Sequence, residues 1–96
     1  RMRAEYILSR AARLREEMRA SGASAYVALN DEDSNWESLF YLSGFRGTAG
    51  AIIIYDNAEP ELILDGRYAE AGRAQSPYKV TEQEESLAED VRASLA

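Results

Sequence analysis

The run Ala49-Gly50-Ala51-Ile52-Ile53-Ile54-Tyr55 limits the folds open to this chain more than any other feature. Three consecutive isoleucines are stiff at χ1 and favour a pleated backbone over a helix. The run is apolar without alternation, which is the pattern of a strand covered on both faces and therefore central in its sheet. Asp56 to Pro60 (Asp-Asn-Ala-Glu-Pro) carries turn chemistry, and Glu61 to Leu64 reads as the returning strand of a hairpin. At seven residues this is also the longest apolar run. A membrane span needs about twenty, and no charged-then-apolar leader opens the sequence.

Other elements follow from period and punctuation. From about Met2 to Ser21, Ile7, Ala11, Leu14 and Met18 recur on one helical face, and Gly22 supplies a stop. Arginines and glutamates fill the other face, with four-apart pairs such as Arg13–Glu17. The pattern lasts under three heptads, so the helix is a docked surface helix rather than a coiled-coil strand. Ser24 to Leu29 reads as a buried strand, followed by a polar connection from Asn30 to Asn35. Ser34 is a candidate cap for a short helix over 35–42, with Glu37 in its first turn. Trp36, Phe40 and Tyr41 lie on that helix as a core contact or as part of a partner surface. A third helix is expected from about Tyr68 to Gln75, stopping before Pro77. Tyr78 to Glu82 reads as an edge strand. Ser86 and Glu89 have capping-box spacing and start a fourth helix with Leu87, Val91 and Leu95 as its apolar stripe.

With 96 residues the chain fits one domain, 1–96. A domain of this size buries only roughly 60–65% of its unfolded surface. Eleven basic against seventeen acidic residues give a formal charge of −6. That balance argues against nucleic acid and against an anionic membrane as partners. There is no cysteine and no histidine. Disulfides and thiolate sites are excluded, and a self-contained triad or imidazole-ligated metallohydrolase is disfavoured. A carboxylate-only magnesium site stays chemically open. Asp31, Glu32 and Asp33 are adjacent without calcium-loop spacing, and so read as a solvated acidic loop. A cytoplasmic location is the default. Arg1 precedes Met2, and the last helix stripe ends without a cap, so both ends read as cut points within a longer chain.

Ser43 to Gly50 (Ser-Gly-Phe-Arg-Gly-Thr-Ala-Gly) places three glycines within seven residues, implying tight turns or close backbone approach. It lacks the lysine of a phosphate-cradling loop and the spacing of a dinucleotide fingerprint. Read with the apolar strand after it and with Asp65-Gly66-Arg67-Tyr68 beyond the hairpin, Tyr41 to Gly50 resembles the N-terminal domain of the creatinase/prolidase family, most of all its Xaa-Pro aminopeptidase and dipeptidase branch. The Asp31 to Trp36 run departs from the Pro-x-Asn-Ile pattern common among the dipeptidases, so the choice between the two activities stays open.

The resemblance implies an α/β fold, a mixed β-sheet flanked by helices. It implies that a separate catalytic domain, absent from these 96 residues, binds two divalent ions (manganese, cobalt or zinc) through two aspartates, a histidine and two glutamates. No cofactor is expected in this stretch itself. The expected partners are a short Xaa-Pro peptide and the catalytic domains of its own and a neighbouring subunit in a homo-oligomer, with this domain gating the active site. Of single residues, the resemblance implies that Arg67 reaches the bound peptide; a guanidinium suits that task through its permanent charge and planar fork. A purely structural Arg67, held by Asp65 or a helix end, is the alternative. Asp65 orients the arginine or caps the next helix, Tyr68 supports by packing, and Trp36 lies near the position of an aromatic that covers the neighbour's site in some relatives. A protein-binding pseudo-enzyme of the same fold and a creatinase-type amidinohydrolase are the competing functions.

Overall fold

A computed structural model describes residues 3–31 and 35–96. The elements in chain order are α1 (Ala4–Ser21), β1 (Ala25–Asn30), α2 (Trp36–Ser43), β2 (Gly50–Tyr55), β3 (Glu61–Leu64), α3 (Gly66–Gln75), β4 (Lys79–Glu82) and α4 (Leu87–Leu95). The four strands form one sheet in the order β1-β2-β3-β4. The first three are antiparallel neighbours, while β4 runs parallel to β3, with Leu62 opposite Val80. The expected mixed α/β sheet is therefore the fold, with the triple-isoleucine strand inside it.

Alternation along β2 sorts the core into two layers. Ile52 and Ile54 face α1, α2 and α3 together with Ile7, Met18, Leu39, Leu42, Phe45, Leu62 and Leu64. Ala51 and Ile53 face the other way, onto Ile63 and the Leu87 and Val91 stripe of α4. All of β2 from Ala51 to Ile54 is fully buried. This is why the run is continuous rather than alternating.

Helix ends follow local chemistry. Gly22 closes α1 at φ 79°, and Ser86 opens α4 by accepting from the Glu89 N–H at 3.1 Å while its hydroxyl donates to Glu89 Oε1. Some expectations shift. Asn35 occupies the N-cap position of α2; Ser34, Glu32 and Asp33 lie outside the described residues. The buried face of α2 is Leu39, Leu42 and Ser43, whereas Trp36 and Tyr41 are exposed. The aromatics thus do not build the core, because their positions fall on the outer side of a helix that docks through its leucines. Leu95 of the α4 stripe is also exposed. The ion pairs among the described residues are Arg3–Glu5, Arg67–Asp65 and Arg73–Glu82 rather than Arg13–Glu17, as expected when exposed pairs contribute little.

Candidate functional site

The end of the sheet where β1 and β3 finish and β2 begins gathers the Gly-rich segment and the Asp-Gly-Arg-Tyr motif. The Gly-rich segment is a tightly folded link. Gly44 caps α2 at φ 83°, and a Cβ there would lie 2.8 Å from the Gln75 carbonyl, so only glycine fits. Gly47 packs against the ring of buried Phe45, and any side chain on it would collide with that ring. Phe45 is further fixed by Ser43, whose buried hydroxyl donates to the Leu39 carbonyl at 2.6 Å and accepts from the Phe45 N–H at 3.1 Å.

The motif beyond the hairpin starts α3 two residues earlier than the sequence pattern suggests. Asp65 takes the N-cap, so Gly66 and Arg67 belong to the first turn. A single carboxylate oxygen of Asp65 accepts both the Arg67 main-chain N–H at 2.8 Å and Arg67 Nε at 3.1 Å. The two roles weighed for Asp65, capping and orienting, thus fall on one oxygen. Those bonds, with the main-chain N–H the stronger influence, hold the Asp65 carboxyl below the usual carboxylate range. In return Asp65 holds the Arg67 proton more firmly than usual.

Arg67 has a side chain 76% exposed. Among the described residues no hydrogen bond uses its Nη1 or Nη2, so the outer edge of the fork faces solvent. Its guanidinium carbon is 5.2 Å from the Tyr68 ring centroid. That ring meets Phe45 edge-on at 5.9 Å, and its hydroxyl lies 3.4 Å from Thr48 Oγ1. Phe45 and Thr48 therefore join Asp65, Arg67 and Tyr68 in one cluster. Trp36 stands apart: its ring contact is with Phe40 at 6.3 Å, and Phe40 in turn carries the Arg46 guanidinium at 5.0 Å. Among the described residues no ring contact or hydrogen bond links Trp36 to Arg67.

Three members of this end were not singled out by the sequence. Phe45 and Thr48 sat inside the Gly-rich segment without a distinguishing pattern. Asn30 belongs by sequence to the polar connection, because Asn-Asp-Glu-Asp-Ser-Asn reads as unbroken loop; in the structure it is the last residue of β1 and fully buried. A groove of about 830 Å³ lies elsewhere, between α1, β1 and α2, and is lined by Leu14, Tyr26, Glu37, Tyr41 and Leu42 among others. None of Trp36, Asp65, Arg67 or Tyr68 borders it. Its size alone gives it no chemistry, and the functional reading stays with the motif end.

The comparisons bear on that reading. A family model described as the Creatinase/Prolidase N-terminal domain matches residues 10–96. The chain belongs to this family. No curated protein matches it. Among solved structures, the X-Pro aminopeptidase from Thermotoga maritima superposes with a TM-score of 0.79 at 27% identity, over 88% of this chain and 23% of that one. The N-terminal domain of the cytoplasmic peptidase PepQ from Mycobacterium tuberculosis gives 0.69 at 28% identity, over 78% of this chain and 55% of that one. The Xaa-Pro dipeptidase from Bacillus anthracis gives 0.79 at 23% identity, over 93% and 24%, a likeness of fold alone. This creatinase/prolidase domain thus spans about a quarter of the length of the full-size peptidases it resembles.

The described residues do not fit the dinuclear centre that the resemblance implies. Among the described residues no three histidine, cysteine, aspartate or glutamate side chains converge on a common point. Asp65, the acid of the motif, already directs one oxygen at two donors of Arg67. Among the described residues no helix is long and apolar enough to cross a membrane.

Proposed function

We propose that this domain is the non-catalytic N-terminal part of a longer metallopeptidase that cleaves Xaa-Pro bonds, and that Arg67 binds the peptide substrate. One observation carries the reading. A guanidinium anchored through Nε by the carboxylate of its own helix cap keeps both terminal nitrogens turned outward. Such a fork is preorganised for a planar acceptor, because the anchor removes much of the side-chain freedom that binding would otherwise have to restrict. A peptide carboxylate or carbonyl is the acceptor with the right shape.

Its place in a family whose full-length relatives are named X-Pro aminopeptidase and Xaa-Pro dipeptidase supports the substrate class. The described residues would not hold the divalent ions (manganese, cobalt or zinc) of such an enzyme; bound by the rest of the longer chain, those ions would supply the hydrolytic chemistry. The contribution of the present residues is to grip and orient the peptide and to exclude long chains. Exposed Trp36 and Tyr41 on α2 form part of the surface that meets a neighbouring subunit in the oligomer. A cytoplasmic location suits an intracellular peptide-processing role, as in the relative named cytoplasmic peptidase.

The test is kinetic, in the full-length enzyme with Xaa-Pro peptides and, separately, with creatine as substrates. Arg67→Ala is expected to lower kcat/KM for the peptides roughly tenfold or more. Unchanged kinetics would leave Arg67 a structural residue, and turnover of creatine instead of peptides would replace the peptidase assignment.

A further inference from the structure

Asn30 is a buried polar residue that its strand does not require. It closes β1 opposite Gly50 in the ladder, at a position where a leucine would serve the core. Its side chain instead continues the link beyond the point where the ladder stops. Nδ2 donates to the Thr48 carbonyl at 2.7 Å, and Oδ1 accepts the Asn35 N–H at 2.7 Å. One partner is a pure acceptor and the other a pure donor, so a single orientation of the amide satisfies both. Leucine would leave both groups without a partner, and aspartate would turn an acceptor towards the Thr48 carbonyl.

The two partners belong to the two separate halves of the site. Asn35 is the cap position directly before Trp36. Thr48 carries the hydroxyl that meets Tyr68, whose ring lies beside the Arg67 guanidinium. Among the described residues no ring contact or hydrogen bond joins Trp36 to Thr48, Tyr68 or Arg67 directly, and the Asn30 amide bridges the two halves through their backbones. We infer that Asn30 is a positioning residue that fixes the Thr48–Tyr68–Arg67 cluster relative to the Trp36 turn, so that Arg67 meets the peptide in one geometry. The inference rests on the peptide-contact reading of Arg67.

Asn30→Asp in the full-length enzyme separates the two bonds, because it keeps the acceptor for Asn35 and removes the donor for Thr48. The expected result is a loss in kcat/KM of about fivefold, carried by KM with kcat preserved, that disappears in an Arg67→Ala background. Losses that simply add would overturn the inference while leaving the role of Arg67 intact. The crystal structure of the variant gives an answer independent of activity. Thr48 and Tyr68 should be displaced while the Asn35–Trp36 turn stays in place; an unmoved Tyr68 would overturn the inference even if Arg67→Ala is kinetically silent. Should Asn30→Asp fail to fold, Asn30→Ser is the second variant: its short side chain reaches neither the Thr48 carbonyl nor the Asn35 N–H, and the same non-additivity with Arg67→Ala is expected.

Discussion

Arg15 and Arg67 carry the same cation to opposite ends of the sheet, where it serves different ends. Arg15 reaches from α1 to the β2–β3 hairpin, donating through Nε to the Tyr55 carbonyl at 2.9 Å and through Nη2 to the Ala58 carbonyl at 3.0 Å. Arg19 adds a bond to the Asp56 carbonyl. These forks saturate backbone acceptors of a turn that has no ladder to satisfy them. At the other end Arg67 gives only Nε to Asp65 and leaves its outer nitrogens to solvent. The lesson is that a guanidinium's role follows from what its terminal nitrogens meet. The hairpin end is closed on itself, whereas the motif end presents unused donors.

Several measurements test that contrast. The largest effect is expected at Phe45, the buried ring beneath the motif end. Phe45→Ala should cost about 3–5 kcal/mol in urea unfolding, since it opens a cavity under Gly47 and removes the edge contact to Tyr68. A cost below about 1 kcal/mol would mean that the open end does not rest on that ring. Arg15→Ala comes next. It should destabilise by about 1 kcal/mol, the net worth of two bonds whose carbonyls water reaches once the guanidinium is gone, without altering peptide kinetics. Arg67→Ala is expected to show the reverse, a kinetic loss with only a small change in thermal midpoint, because its pair with Asp65 is exposed. If both substitutions change the same quantity, the distinction between the ends is wrong.

The smallest effect concerns Asp65 and acid. Its carboxyl is depressed in the folded chain, so its stabilising contribution is complete above the unfolded value of about 4 and is lost as pH falls through the lower folded value. The thermal midpoint of the native domain should therefore converge on that of Asp65→Asn below about pH 4. A gap that persists in strong acid would show that the charge of Asp65 is not what Arg67 responds to. Asparagine still caps the helix, so the comparison isolates charge from capping.

Most of the architecture was legible in the chain because it rests on short-range physics. Ile52 to Ile54 announce a buried strand by side-chain stiffness and unbroken apolarity. Asp56 to Pro60 announce a turn, and Ser86 with Glu89 a helix start, by hydrogen-bond chemistry that acts within four residues. The start of α3 was less legible, since Asp65 competes with Gly66-Arg67 for the same stretch and its cap wins by two residues. Asp65 and Arg67 were also readable as a pair, being neighbours in the motif.

The sequence by itself determined the central strand, the hairpin, the helix stripes and a chain without imidazole or thiol chemistry, because composition and local periodicity are properties of consecutive residues. Only the tertiary structure decided that Asn30 is core rather than loop, that Trp36 and Tyr41 face outward, and that Thr48 meets Tyr68 twenty positions later. Each of those outcomes depends on which groups the packed sheet and helices bring within hydrogen-bond reach. No local pattern encodes a distance between residues that touch only once the core has closed.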